Sequence, residues 1–168
     1  MGVFLKLFLT AVCLAAPGLR ADDCSEDTAV QATGVWKIGV HALEFDVIQK
    51  QYKEKGQQVN NGFQEYKNLA YEVVLESRWT NQWRTTFAYI RANAGSCSII
   101  GGASCSTSGM DAKQLNAGVA YFFDPSVYLF LIYSRLLNGE SARYNNSQQS
   151  PAVGEDITQT ALGLTYIF

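Results

Sequence analysis

The chain has 168 residues, 48% of them hydrophobic and 12% aromatic, and a formal charge of −2. Its thirteen basic and fifteen acidic residues form no basic cluster, so it lacks the electrostatic footprint of a nucleic-acid binder. After the first twenty residues no run of about eighteen apolar residues occurs, which excludes a helical membrane span and leaves the apolar content to be buried in another way.

Residues 1–21 read as an export leader. Lys6 supplies a positive start, Leu7 to Ala16 form a short apolar run, Pro17-Gly18 break it, and Ala21 offers a small residue before Asp22. Cys13 and Cys24 each follow a residue too large for lipoprotein processing, so no lipid anchor is expected. Without the leader the chain loses Lys6 and Arg20, leaving eleven basic and fifteen acidic residues. Residues 22–32 begin acidic and read as a flexible start to the domain at 22–168.

From there the dominant period is two, the signature of strands. Val35 to Leu43 reads as the first strand, with Trp36, Ile38, Val40 and Ala42 opposite Lys37, Gly39 and His41. A weaker pattern covers Phe45 to Lys55. Leu69 to Trp79 sets Leu69, Tyr71, Val73, Leu75 and Trp79 against Glu72, Glu76 and Arg78. Trp83 to Ala92 sets Trp83, Phe87 and Tyr89 against Arg84, Thr86 and Ala88. Ala112 to Phe123 sets Leu115, Ala117, Val119, Tyr121 and Phe123 against Gln114, Asn116 and Gly118. Val127 to Leu137 is apolar on both faces; Arg135 argues for turning Leu129, Leu131 and Tyr133 inward with it. Ile157 to Phe168 sets Thr160, Leu162, Leu164, Tyr166 and Phe168 against Gln159, Ala161, Gly163 and Thr165.

Short connections at Leu43-Glu44, Thr80-Asn81-Gln82 and Asp124-Pro125-Ser126 alternate with long ones at 56–67, 93–111 and 138–155. That alternation, with strands of about ten residues, is the pattern of an antiparallel up-and-down transmembrane β-barrel of seven or eight strands. The apolar faces begin or end in aromatic residues, which favour the membrane–water interface. Charges in mid-strand stay solvated in a water-filled interior, whereas a sandwich core would pay several kcal/mol for each. Cys97 and Cys105 lie in one Gly/Ser-rich loop, where an oxidising compartment favours a disulfide. A metal site there lacks partners, because His41 is the only histidine. Cys24 is left as a free thiol or an intermolecular partner.

The segment from Gln114 to Asn138, through Asp124-Pro125-Ser126 and Tyr133-Ser134-Arg135, resembles the closing hairpin of Gram-negative trimeric porins of the neisserial and betaproteobacterial type. The ending Gly163, Tyr166, Phe168 resembles the assembly signal of outer-membrane proteins, with Ala161 departing from the polar residue usual there. The resemblance covers roughly Thr33 to Phe168. It implies a bacterial outer-membrane location, contact with outer-membrane lipid and the assembly machinery, a homotrimer, and passage of small hydrophilic solutes or ions. Members of that family have about sixteen strands, so the chain reads as a shortened porin matching the C-terminal portion, with no segment matching the family's inward-folded third loop. An eighth strand from Cys24 to Gly34, an open edge, or closure by association of copies are the three ways such a chain could end.

Alternation places Lys37, His41, Glu72, Glu76, Arg78 and Arg84 on the pore-lining side, and their near balance predicts no strong ion preference. In an eight-stranded barrel the same charges would instead pair and fill the interior. A second reading is a non-conducting structural or adhesive barrel acting through its long loops. An enzyme is not expected: His41 has no nucleophile motif near it, and neither a phosphate loop nor metal spacing occurs, so no cofactor, metal or catalytic residue is assigned.

Overall fold

The computed structural model describes residues 4–14, 25–53, 63–99, 105–145 and 149–167. These residues hold strands and no helix: β1 (Phe4–Leu14), β2 (Ser25–Ile38), β3 (His41–Lys53), β4 (Phe63–Arg78), β5 (Trp83–Ala92), β6 (Ser96–Ile99), β7 (Ala112–Asp124), β8 (Val127–Asn138) and β9 (Ile157–Tyr166). All belong to one antiparallel sheet in the order β1-β2-β3-β4-β5-β7-β8-β9, with the short β6 off the path on β4. Nearest neighbours in sequence are nearest neighbours in space, the up-and-down arrangement expected from the alternating connections. Among the described residues no pairing joins β1 to β9, so the sheet is open at both edges.

The first hairpin differs from the sequence reading. Val35 to Leu43 is not one strand; a two-residue turn at Gly39–Val40 divides it, and Ile38 pairs with His41. Gly39 takes a φ of +57°, a left-handed conformation open to glycine at little steric cost. The short connection is therefore Gly39-Val40 rather than Leu43-Glu44. The start read as flexible is ordered from Ser25: β2 pairs with β3 from Glu26 opposite Lys53 to Ile38 opposite His41. This supplies the strand that Cys24 to Gly34 offered. Phe4–Leu14, which spans the apolar stretch read as part of an export leader, lies antiparallel along β2 from Leu14 opposite Ser25 to Phe4 opposite Val35.

Turn chemistry closes the other short ends. Asp124 Oδ1 accepts hydrogen bonds from the backbone N–H groups of Ser126 (2.7 Å) and Val127 (3.0 Å), an Asx-type turn around Pro125. Thr80 Oγ1 accepts from the N–H groups of Gln82 (3.1 Å) and Trp83 (3.0 Å). The loop expected over 93–111 contains β6, which extends the β4 ladder from Phe63 to Lys67. The sheet has almost no conventional core: Ala112, Leu136 and Ile157 form a small buried cluster under Tyr144, and among the described residues no large side chain is fully enclosed.

Candidate functional site: the polar face of the sheet

Ladder register assigns each residue to one of two faces, because side chains alternate along a strand. One face carries an apolar band across the middle of the sheet, with Gln51, Lys67, Arg91, Lys113 and Arg135 toward its long-loop end. A typical row runs Leu43, Leu75, Phe87, Ala117, Tyr133; another runs Trp83, Tyr121, Leu129, Leu164. These side chains point into open space: Leu162 is 70% exposed, Leu164 66% and Tyr166 65%. A continuous apolar surface of this kind is untenable in water and is what hydrocarbon solvates. At the short-turn end it finishes in rings. Trp83 and Tyr121 meet edge to face at 4.9 Å, Tyr121 and Phe123 at 5.1 Å, and Trp79 Nε1 donates to Thr85 Oγ1 at 2.9 Å.

The opposite face is polar. One row runs Thr33, Asp46, Glu72, Ile90, Gln114; the next runs Glu44, Val74, Ala88, Asn116, Ser134, Gln159. Its groups are bonded to one another. Asp46, only 6% exposed, accepts from Gln31 Nε2 at 2.9 Å and from Thr33 Oγ1. Gln114 Nε2 donates to Asn116 Oδ1 (2.9 Å) and Ser134 Oγ (3.1 Å). Arg78 Nε reaches Glu76 Oε1 at 2.7 Å, and the Arg84 guanidinium lies 4.1 Å from the Phe122 ring centre. A groove of about 720 Å³ runs over this face, lined by Glu72, Glu76, Arg84, Gln114, Asn116 and Ser134 among others.

Of the six residues read as pore-lining, Lys37, Glu72, Glu76, Arg78 and Arg84 share the polar face, by register with Ala42, Asp46, Thr86 and one another. His41 does not. It lies on the apolar face, its Nδ1 2.8 Å from Ser77 Oγ and its ring edge-on to Trp79 at 5.4 Å. The hairpin turn is the reason: a two-residue turn reverses the odd–even assignment, so residues after Val40 exchange faces relative to a continuous strand. The same reversal puts Glu44 and Asp46 on the polar face, where the sequence reading did not look. Their alternation with Leu43, Phe45 and Val47 was the available signal.

Leu129, Leu131, Tyr133 and Arg135 do share a face, but it is the apolar one, not the interior. Arg135 escapes hydrocarbon by standing near the long-loop end, 4.0 Å from Asp156 Oδ2, half-exposed. At the C-terminal end Tyr166 lies on the apolar face and Gly163 on the polar face; Phe168 lies outside the described residues. A Cβ on Gly163 would stand 2.3 Å from Phe130 Cζ, so the glycine makes room for that ring. Cys97 and Cys105 are joined as a disulfide with Cα atoms 5.5 Å apart, at the long-loop end. Cys24 lies outside the described residues. Among the described residues no His, Cys, Asp and Glu group could hold a metal ion.

No family model and no curated protein sequence matches the chain. Solved structures do. An anion-selective porin from Comamonas acidovorans superposes with a TM-score of 0.74 at 14% identity, covering 99% of this chain and 45% of that one. OmpT, an outer membrane protein of Vibrio cholerae, superposes with a TM-score of 0.58 at 15% identity, covering 96% of this chain and 47% of that one. The chain thus spans about half the length of the structures it matches, and over that half it has the fold of an outer-membrane β-barrel protein.

Proposed function

We propose that the chain forms the wall of an outer-membrane diffusion channel, resident in the bacterial outer membrane, that passes small hydrophilic solutes. One observation carries this reading: a single sheet with a broad apolar band on one side and a hydrogen-bonded polar face bearing Glu44, Asp46, Glu72, Glu76 and Arg84 on the other. Hydrocarbon solvates the first, and enclosed water the second. An open sheet edge is unstable in lipid, so the working channel closes its ring by association with further copies of the chain. On the polar face Lys37, Arg78 and Arg84 stand at the short-turn end and Lys50 toward the other end, whereas Glu44, Asp46 and Glu72 stand at mid-height.

Reconstitution of the refolded chain in planar bilayers tests the reading, and stepwise conductance is the expected result. A silent structural barrel is the second reading, favoured by Phe122, Tyr128 and Phe130, which project onto the polar face. Phe122 stacks on Tyr128 at 4.7 Å. Membrane insertion without current decides for that alternative. A chain that keeps its sheet while remaining monomeric in detergent-free buffer overturns both.

A further inference from the structure

At the end of the sheet remote from the short turns, the β8–β9 loop bends back over the polar face. Asn138 fixes its root: its Nδ2 donates to the carbonyls of Tyr144 (3.1 Å) and Glu155 (2.7 Å), and its Oδ1 accepts from the Tyr144 N–H at 2.9 Å. Tyr144 packs on the buried Ala112, Leu136 and Ile157, and its hydroxyl accepts from Asn68 Nδ2 at 2.9 Å. Asn68 belongs to β4, separated from β8 by β5 and β7 in the sheet, so this loop crosses the mouth of the polar face. Beside the bridge lies a groove of about 460 Å³ lined by Thr28, Lys50, Tyr52, Tyr66, Asn68 and Tyr144 among others.

The lining chemistry is selective. Three phenol rings offer flat apolar surface with polar rims. Asn68 adds a side-chain amide, Lys50 brings the one formal charge, and among the described residues no carboxylate lines the groove. Burial, reinforced by Tyr66, pushes the Tyr144 hydroxyl up to about 12, so the phenol stays neutral and adds no negative charge near neutral pH. The volume suits a ligand of one ring.

We infer that this groove is a docking subsite for small aromatic carboxylates, the ring held against the tyrosines and the carboxylate turned to Lys50. The inference deepens the channel reading, on which its role as an entry point for solute rests, but binding itself requires no conductance. The test is therefore ligand-observed saturation-transfer NMR on the full chain folded in detergent micelles. The probes are benzoate, benzyl alcohol and acetate, with heat-modifiability confirming the fold of each variant. Benzoate is expected to bind about tenfold more tightly than either comparator, which share only its ring or only its charge. Lys50→Gln should weaken benzoate about tenfold and leave benzyl alcohol unchanged, whereas Tyr144→Ala should weaken both. Equal binding of benzoate and benzyl alcohol overturns the inference, as does equal binding of benzoate and acetate or an unaltered benzoate response in folded Lys50→Gln. Stepwise conductance without selective benzoate binding removes the subsite alone; benzoate binding in a chain that never conducts removes the channel alone.

Discussion

Asp46 and Glu72 stand directly opposite each other across the β3–β4 ladder, two carboxylates on the polar face with Glu44 one position along the same side. Like charges directly opposed across a ladder are destabilising, and this pair is made tolerable by the hydrogen bonds from Gln31 and Thr33 to Asp46. In a water-filled channel these carboxylates lower the potential for cations passing mid-height. Glu72→Gln is expected to shift the reversal potential in a salt gradient toward anions. The change in permeability ratio should be on the order of threefold, about one kT of lumen potential. An unmoved reversal potential in a conducting variant means that this row does not face the permeation path.

The assignment of faces makes a second, sharper demand. Leu162 and Leu131 pair across β8–β9 on the apolar face, and Asn116 and Ser134 pair across β7–β8 on the polar face. Leu162→Arg should destabilise the folded state by about 2–4 kcal/mol, the cost of a cation at the middle of the lipid face. Asn116→Arg should cost well under half as much. Urea unfolding of the two variants in lipid vesicles measures both, and equal losses would contradict the two-solvent description of the sheet.

How far the sequence reveals this arrangement depends on a few residues. In β4 the faces are legible, because Leu69, Val73 and Leu75 alternate cleanly with Glu72 and Glu76, whereas β8 is apolar on both faces and its Arg135 points to the wrong assignment. Asp124-Pro125 also announces its own turn. Before β4 one glycine governs the outcome. Trp36, Ile38 and Val40 keep a period of two straight through Gly39, so nothing in the hydropathy marks the turn. Parity nevertheless reverses there, moving His41 to the lipid side and bringing Glu44 and Asp46 to the polar side. The tie from Asn68 to Tyr144 is invisible to periodicity altogether, since it joins a strand residue to a loop residue 76 positions away.

Gly163 and Phe130 form a close fit between β8 and β9. They pair across β8–β9, and a single added methyl on the glycine would enter the ring. Overpacking of this kind typically costs about 1–3 kcal/mol. Gly163→Ala is therefore expected to lower the folded, heat-modifiable fraction after refolding, and Phe130→Leu in the same chain to restore much of it. If the double variant folds no better than the single one, room beside the ring is not what the glycine supplies.

Alkali should release the loop that crosses the mouth. Tyr144 has its hydroxyl pushed up to about 12 by burial, from an ordinary value of 10.0, so the folded state holds this proton more strongly than the unfolded one. The stability tied to the neutral phenol is complete below about pH 10 and disappears as pH rises through about 12, because ionisation favours the opened loop. Tyrosinate absorbance should show one late-titrating tyrosine, absent from Tyr144→Phe. Hydrogen exchange at Ala142 and Gly154, whose N–H groups bond to Gly139 and Ala142 carbonyls, should rise beyond the ordinary base-catalysed increase over that interval. In Tyr144→Phe the phenol cannot ionise, so that excess should vanish. Exchange that accelerates identically in both proteins would mean that the loop is held by its Asn138 root and not by the bridge to Asn68.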